Sequence, residues 1–174
     1  MRVFAAFSVA VLLVLFTPIV AASGTGATTN QTEANKAVVR RAFQALEQGD
    51  LKTLNDIFDP KGPVHSPKGN TILQGGPFTN LKESCGMCAA LNPRKITIDL
   101  ILGDGDLVAV RSTWRGKYSG TVRGTPVAGK DAVVVYTNFY RVVHGRIVEN
   151  WFEQDSLDLA EQLGMKLVPD SQAK

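Results

Sequence analysis

From Glu33 onward, hydrophobic residues recur at three- and four-residue spacings, which is the period of a helix with one buried face. These residues are Val39, Ala42, Phe43 and Leu46. Gly49 takes the position just past the C-cap, and Asp50 can cap a second, short helix that ends at Asp59-Pro60. The apolar positions of the second helix are Leu51, Leu54, Ile57 and Phe58. The pattern therefore predicts two consecutive helices.

The middle of the chain is richer in proline and glycine. Residues 60–77, PKGPVHSPKGNTILQGGP, are typical of irregular chain or of a short edge strand. A third helix is predicted to begin near Pro77-Phe78 and to end at Asn92-Pro93. Its buried side would carry Phe78, Leu81, Cys85 and either Cys88 or Ala89.

The second half alternates with a period of two, which indicates strands. Residues 94–120 predict two strands joined at Asp104-Gly105. After a loop around Gly124-Thr125-Pro126, residues 131–143 predict a long strand that turns at His144-Gly145 into residues 146–154. Asp155 or Ser156 then caps a last helix, which ends at Gly164.

Helices followed by an antiparallel meander and one closing helix indicate the α+β class. An antiparallel sheet needs cover on its apolar face, and the three early helices are available to provide it. A curved sheet closed over by helices leaves a concavity, where small molecules bind.

The first residues predict a targeting segment rather than part of the fold. Arg2, an apolar run from Val3 to Val20 and small residues up to Ala22 are typical of a signal peptide over residues 1–22. A membrane anchor is the alternative, but Pro18 and the Val-x-Ala site favour cleavage. The expected mature protein is secreted, periplasmic or extracellular, with no stable membrane insertion.

Residues 23–33 are small and polar and predict a flexible linker, ahead of a domain over residues 34–168 and a tail over residues 169–174. The linker contains the triplet Asn30-Gln31-Thr32, either a glycosylation site or a chance sequence.

Composition fits one globular domain, with 44% hydrophobic and 20% charged residues among 174. The 19 basic and 16 acidic residues are dispersed, so no nucleic-acid partner is expected. No cofactor fingerprint or metal motif is present, and Cys85 and Cys88 with His65 fall short of a zinc site. The two cysteines predict either a local disulfide or a buried pair of thiols.

Several stretches resemble the SnoaL-like polyketide cyclases of the nuclear transport factor 2-like superfamily. They are residues 43–58, His65-Ser66-Pro67, GDGDLVAVR with Trp114 after it, and, most clearly, FYRVVHGRIVENWFEQDSLDLAEQLG at residues 139–164. The resemblance spans about residues 34–164. It implies a cone-shaped α+β barrel of the cystatin-like kind, a curved antiparallel sheet packed on N-terminal helices.

In that family the working acid/base is an Asp directly after the Trp of the strand that matches residues 146–151, and a His lies on the preceding strand. The matching positions here are Phe152 and Asn138. A phenyl ring cannot take or give a proton, so the family's chemistry lacks its usual groups. Because the family pattern also places a His at His65, this residue is the leading acid/base candidate, and a loop histidine is the alternative.

Side chains of residues 149–154 alternate between two faces of their strand. The family alignment implies a substrate-binding face with Asn150 and Phe152, together with Tyr136, Asn138, Tyr140 and Trp114. That requires an odd residue count in the hairpin loop, such as a turn plus a bulge at Gly145. Glu149 and Glu153 would lie on the other face, in solvent or at a subunit contact. Asp99 is predicted to be an outward, solvated carboxylate.

Two hypotheses follow. The first is a cofactor-free cyclase, isomerase or hydrolase with an apolar pocket for a small, carbonyl-bearing hydrophobic molecule, in which His65 transfers the proton. The second is a non-catalytic ligand-binding module, or a module that forms a homodimer through its sheet. The two differ in whether a carboxylate or an imidazole points into the cavity.

Overall fold

A computed structural model describes residues 25–66, 71–73, 78–80, 85–122, 124–166 and 168. In chain order the elements are helices α1 (Thr25–Gln48) and α2 (Leu51–Ile57), strands β1 (Pro63–His65) and β2 (Thr71–Leu73), helix α3 (Gly86–Ala90), strands β3 (Leu91–Asp104), β4 (Leu107–Val122), β5 (Thr125–Val143) and β6 (Arg146–Gln154), and helix α4 (Ser156–Gln162). This order confirms the predicted α+β class. The predicted signal peptide and C-terminal tail lie outside the described residues.

Side-chain caps begin the two seven-residue helices where the sequence predicts them. Asp50 accepts a hydrogen bond from the Thr53 backbone N–H at 3.0 Å. Asp155, rather than Ser156, caps α4 by accepting from the Asp158 N–H at 2.8 Å. Each cap satisfies an N–H that has no partner inside its helix.

The prediction of a flexible linker over residues 23–33 is wrong from Thr25 onward, because α1 already begins there. Extending an existing helix by one residue costs little free energy, because the helix is already nucleated. The buried part of α1 can therefore be continued toward the N-terminus through polar residues. Asn35 anchors this part of α1, since it is 2% exposed and donates to the Gly105 carbonyl at 2.9 Å. Gln31 in turn donates to Asn35 Oδ1 at 3.0 Å.

The predicted third helix is much shorter than expected, since α3 covers only Gly86–Ala90. The prediction is wrong at its end, because Leu91 already pairs with Tyr118 of β4 and Asn92-Pro93 lies within β3. Phe78 lies outside any helix, whereas Pro77 and Leu81 fall outside the described residues. Here the hydrogen bonds of β3 to β4 are favoured over a continued helix, because tertiary contacts often override local helix propensity in short segments.

The six strands form one sheet in the order β2-β1-β6-β5-β4-β3. The sheet is mixed rather than fully antiparallel, because β1 pairs in parallel with β6, with Val64 opposite Asn150 and His65 opposite Trp151. The β4–β5 hairpin is longer than predicted, since Thr125 already pairs with Val122 in place of a loop. β1 occupies the edge of β6 that β5 leaves unpaired, and it runs parallel to β6. No local sequence pattern specifies this pairing or its direction.

Register between β5 and β6 depends on a two-residue turn and a bulge. His144 and Gly145 both have positive φ, 49° and 75°, as a tight hairpin turn requires. Arg141 pairs with Glu149 but Val142 pairs with Ile147, so Val148 is the extra residue. The predicted combination of a turn and a bulge is present, but the loop itself has two residues rather than an odd number, and the bulge lies at Val148 instead of Gly145.

The core lies between the sheet and the helices. Val108, Val110 and Trp114 of β4 are buried and alternate with more exposed residues, while α1 contributes Val39 and Phe43. Full burial of such side chains is worth about 1.5–3 kcal/mol each. We call the helix-covered face of the sheet the inner face, and its opposite the outer face.

Cys85 and Cys88 form a disulfide, and Cys88 is fully buried. We therefore predict that neither residue reacts with an alkylating reagent in the native protein without reductant, because no thiol is present. Mass spectrometry after iodoacetamide treatment would measure this. Addition of two carbamidomethyl groups without reductant would contradict the bridge.

Candidate functional site

Six residues predicted to bind substrate lie together on the inner face of β4, β5 and β6. They are Trp114, Tyr136, Asn138, Tyr140, Asn150 and Phe152, called here the inner cluster. The register brings them together because Asn138 is directly opposite Phe152 and Tyr140 is directly opposite Asn150. The two positions that the family resemblance assigns to the acid/base pair are thus cross-strand partners.

Trp114 is a structural member of the inner cluster. Its indole N–H donates to Ser112 Oγ at 3.1 Å, so its polar atom is satisfied within the strand. Its ring contacts Tyr136 at 5.2 Å and Phe43 at 6.5 Å between centroids. Contacts between tilted rings of this kind add to the free energy of burial.

Tyr136 and Tyr140 bring two phenol groups to the inner cluster. Tyr136 contacts Phe152, with ring centroids 6.4 Å apart. Burial raises the pKa of both phenols above the usual value, and a neighbouring tyrosine, Tyr118 for Tyr136 and Tyr136 for Tyr140, adds to the effect. Both hydroxyls therefore stay protonated at neutral pH and can donate a hydrogen bond to a carbonyl oxygen.

Two amides complete the polar part of the inner cluster. Asn138 is 7% exposed in the middle of β5. Asn150 Oδ1 is fully buried and, within the described chain, has no hydrogen-bond partner. Most buried polar atoms in folded proteins are hydrogen-bonded, so an exception of this kind needs an explanation.

Aromatic side chains that the sequence pattern does not predict as site residues border the inner cluster. Phe43 lies 6.0 Å and Phe58 lies 6.5 Å from Tyr140 between ring centroids. Phe78 packs on Phe58 at 5.4 Å and is held by Asn55, which bonds both the N–H and the carbonyl of Phe78. The helical spacing of Phe43 and Phe58 was the available signal, but it indicated only burial.

His65 lies on the outer face, away from the inner cluster. Its ring stacks on Trp151, with centroids 4.9 Å apart and an angle of 10° between the planes. The parallel pairing aligns His65 with Trp151 and Val64 with Asn150, and alternation then turns the imidazole outward. The structure therefore does not bring His65 together with Tyr136, Asn138 and Tyr140, contrary to the expected site.

His65 belongs to a group of contacting outer-face side chains, called here the outer network. Its other members are Asp106, Arg141, Glu149 and Trp151. His65 Nε2 lies 2.9 Å from Glu149 Oε1, and Arg141 Nε donates to Glu149 Oε2 at 3.0 Å. Arg141 also pairs with Asp106 at 2.7 Å and lies over the Trp151 ring at 5.8 Å. Glu149 is thus on the predicted face but paired there, where solvent or a subunit contact was expected.

Other outer-face carboxylates follow the same alternation. Glu153 is exposed, as predicted. Asp99 points outward as predicted, but it is paired, accepting hydrogen bonds from Arg111 at 2.7 Å and Thr113 at 2.6 Å.

An open groove of about 440 Å³ lies beside the outer network, lined mainly by outer-face residues but also by Phe152 of the inner cluster. Its lining residues are Leu107, Phe139, Arg141, Trp151, Phe152 and Glu153. Arg141, the cation among these residues, already pairs with Asp106 and Glu149, and these two carboxylates offset its charge toward an anionic ligand. Exposed Leu100, Leu102 and Phe139 share this face, and a homodimer through the sheet stays a prediction.

The outer network predicts a measurable pH dependence. Burial alone would raise the pKa of Glu149, but hydrogen bonds from His65 and Arg141 and the charge of Arg141 lower it below 4.5 overall. A carboxylate with a lowered folded pKa stabilises the protein above its unfolded pKa, and this contribution disappears as the pH falls through the folded pKa. We expect Glu149→Gln to lose less stability than wild type between pH 7 and pH 3 in urea titrations.

The matched control for that measurement is Glu153→Gln, an exposed residue on the same face of the same strand. It should keep the wild-type loss of stability over this pH range. Equal losses for wild type and Glu149→Gln would show that the Glu149 contacts do not persist in solution.

Within residues 25–66, 71–73, 78–80, 85–122, 124–166 and 168, no group of three or more His, Cys, Asp or Glu side chains is arranged to hold a metal ion. Over the same part of the chain, no helix combines the length and apolarity needed to cross a membrane.

The helix-covered sheet with aromatic and amide groups on its inner face defines a protein of the α+β class. The model of the SnoaL-like polyketide cyclase family matches residues 36–163, and the chain belongs to this family. This confirms the predicted family and its cone-shaped fold, with the parallel β1–β6 pair as a correction to the antiparallel sheet. The fold supports a small-molecule-binding or cyclase-type function. No curated protein gives a match to the chain.

Solved structures give the same fold. The chain is similar to IdmH from Streptomyces antibioticus, a candidate polyketide cyclase, at 29% identity and a TM-score of 0.59, covering 75% of this chain and 99% of IdmH. AclR from Streptomyces galilaeus, a candidate hydroxylase, has 22% identity and a TM-score of 0.65, covering 76% and 97%. An LEH-like epoxide hydrolase of M. tuberculosis has 15% identity and a TM-score of 0.55, covering 76% and 90%. The last two comparisons concern the fold alone.

Proposed function

We propose that this is a secreted binding protein whose inner cluster holds a small, partly hydrophobic, carbonyl-bearing molecule without catalysing the family's cyclisation. One observation carries the proposal: the polar groups of the inner cluster are phenols and amides. The imidazole that could have served as a base, His65, stacks on Trp151 on the other face.

The inner cluster suits binding for physical reasons. Its aromatic rings provide apolar surface, and the protonated hydroxyls of Tyr136 and Tyr140 can donate to a carbonyl oxygen. Neither an amide nor a phenol of raised pKa removes a proton from carbon at neutral pH. The ligand is therefore oriented, and its carbon–hydrogen bonds are left intact.

Binding can be tested with 2-acetylnaphthalene, a carbonyl-bearing aromatic probe, by isothermal titration calorimetry. Tyr136→Phe and Tyr140→Phe each remove one hydroxyl and should weaken binding about 3- to 10-fold. The control Phe139→Ala changes the residue beside Tyr140 that points to the outer face, and it should leave binding unchanged. Weaker binding in Phe139→Ala, with no effect of the tyrosine variants, would place the ligand in the outer groove instead.

The alternative function is a cofactor-free enzyme in which His65 acts as the base at a different place from the family's base. His65 and Glu149 form a close pair beside the outer groove, and such a pair can orient an imidazole. Turnover that disappears in His65→Ala would support that enzyme and contradict a purely binding role.

Secretion is a separate part of the proposal and has its own test. We expect the mature chain to begin at or near Ser23, two residues before α1 starts at Thr25. N-terminal sequencing of protein from outside the cytoplasm would check this. An intact Met1 terminus on membrane-bound protein would show an anchor instead.

A further inference from the structure

Asn150 occupies an inner position that should be costly for an amide. It lies on β6 between two neighbouring strands, opposite Val64 of β1 and Tyr140 of β5. Both neighbours hold its backbone in register, and the His65–Trp151 stack supports the same strand from the outer face. The amide is therefore not at a frayed edge, where water could satisfy it.

The Asn150 Oδ1 atom is fully buried and unpaired within the described residues. Leaving a buried acceptor unsatisfied lowers stability, so an apolar residue of similar volume would fit this position better unless the acceptor is used. The other inner amide, Asn138, is its diagonal neighbour across β5 and β6. Unlike Asn150, Asn138 has no side-chain atom that is both fully buried and without a hydrogen-bond partner.

We infer that Asn150 Oδ1 accepts a hydrogen bond from a hydroxyl or N–H group of the bound molecule. The inference rests on the proposed function and narrows its ligand class to aromatic or alicyclic carbonyl compounds that also carry a donor. An acceptor selects for a donor, and a site built to bond a hydroxyl rejects the analogue without it. Asn150 thus determines specificity, whereas the phenols bind the carbonyl oxygen that both kinds of molecule share.

The test compares 6-acetyl-2-naphthol with 2-acetylnaphthalene, which lacks only the hydroxyl. Wild type should bind the naphthol about 10- to 100-fold more tightly, the range expected when a buried acceptor loses its partner. Asn150→Leu should remove this preference while still binding 2-acetylnaphthalene. The control Phe139→Ala, which changes an exposed outer-face residue of β5, should keep it.

A second measurement needs no ligand. Because Asn150→Leu replaces an unsatisfied acceptor by a similar apolar volume, the ligand-free variant should melt about 2–8 °C above wild type. A melting temperature equal to or below that of wild type would overturn the inference, since the acceptor would then have a partner inside the protein.

The outcomes also separate the inference from the proposed function. Equal binding of both probes to wild type overturns the role of Asn150 and leaves the binding function standing. Loss of the preference in Phe139→Ala as well as in Asn150→Leu overturns the assignment to Asn150. Failure of wild type to bind either probe counts against the binding function and against the inference with it.

Discussion

A Phe152→Asp, Asn138→His double variant should cyclise a polyketide-type ester about 10²–10⁴-fold faster than the wild-type protein. That factor is the usual contribution of a positioned general acid/base, which the wild type lacks at both positions. Asn138 and Phe152 are direct cross-strand partners on the inner face, so the two new side chains would lie next to each other. In the proposed function, the neighbouring phenols would donate to the substrate carbonyl.

The measurement is a steady-state rate for wild type, the double variant and His65→Ala on one ester substrate. A wild-type rate close to that of the double variant, unchanged in His65→Ala, would show that another group supplies the base. A wild-type rate abolished by His65→Ala would show that the outer face carries the chemistry. Each single variant should gain less than the double variant, because the pair acts as a unit.

Arg94→Met should lower the free energy of unfolding by about 2–4 kcal/mol, the largest stability effect expected here. Arg94 Nε donates to the Leu46 carbonyl at 2.7 Å, and its NH1 donates to the Cys88 carbonyl at 2.7 Å. These carbonyls lie in the last turns of α1 and α3, where backbone acceptors have no partner in their own helix. Hydrogen bonds from a charged donor contribute about 1.5–3 kcal/mol each, and methionine retains the aliphatic packing.

Lys95→Met is the matched control, since Lys95 is the next residue and its side chain is 74% exposed. Its ion pair with Glu47 at 2.8 Å should contribute less than about 1 kcal/mol. Urea unfolding monitored by circular dichroism would measure both variants. Similar values for the two would mean that the helix ends are satisfied in another way when Arg94 is lost.

Local patterns predicted the parts of the fold that depend on neighbouring residues. The apolar spacing of Val39 to Leu46 indicated α1, and Asp50 and Asp155 marked the two capped helices, since a cap forms with residues only three positions away. Period-two alternation separated Glu149 and Trp151 from Asn150 and Phe152, because successive side chains of a strand must alternate. The family resemblance, not the alternation, placed Tyr136, Asn138 and Tyr140 on the same face as Asn150 and Phe152. The hairpin turn at His144-Gly145 followed from the same local chemistry.

The tertiary structure decided the features that depend on segments distant in sequence. From the sequence alone, either His65 or Val64 of β1 could have faced the helices. The parallel pairing with β6 places His65 opposite Trp151, so the imidazole lies on the outer face and stacks on that ring. Pairing of Leu91 with Tyr118 likewise ended α3 earlier than the apolar spacing suggested. The position of the one-residue bulge at Val148 set the register that brings Asn138 opposite Phe152. These outcomes depend on which segments compete for the same hydrogen-bonding edge and the same buried space, and a linear pattern contains no information about that competition.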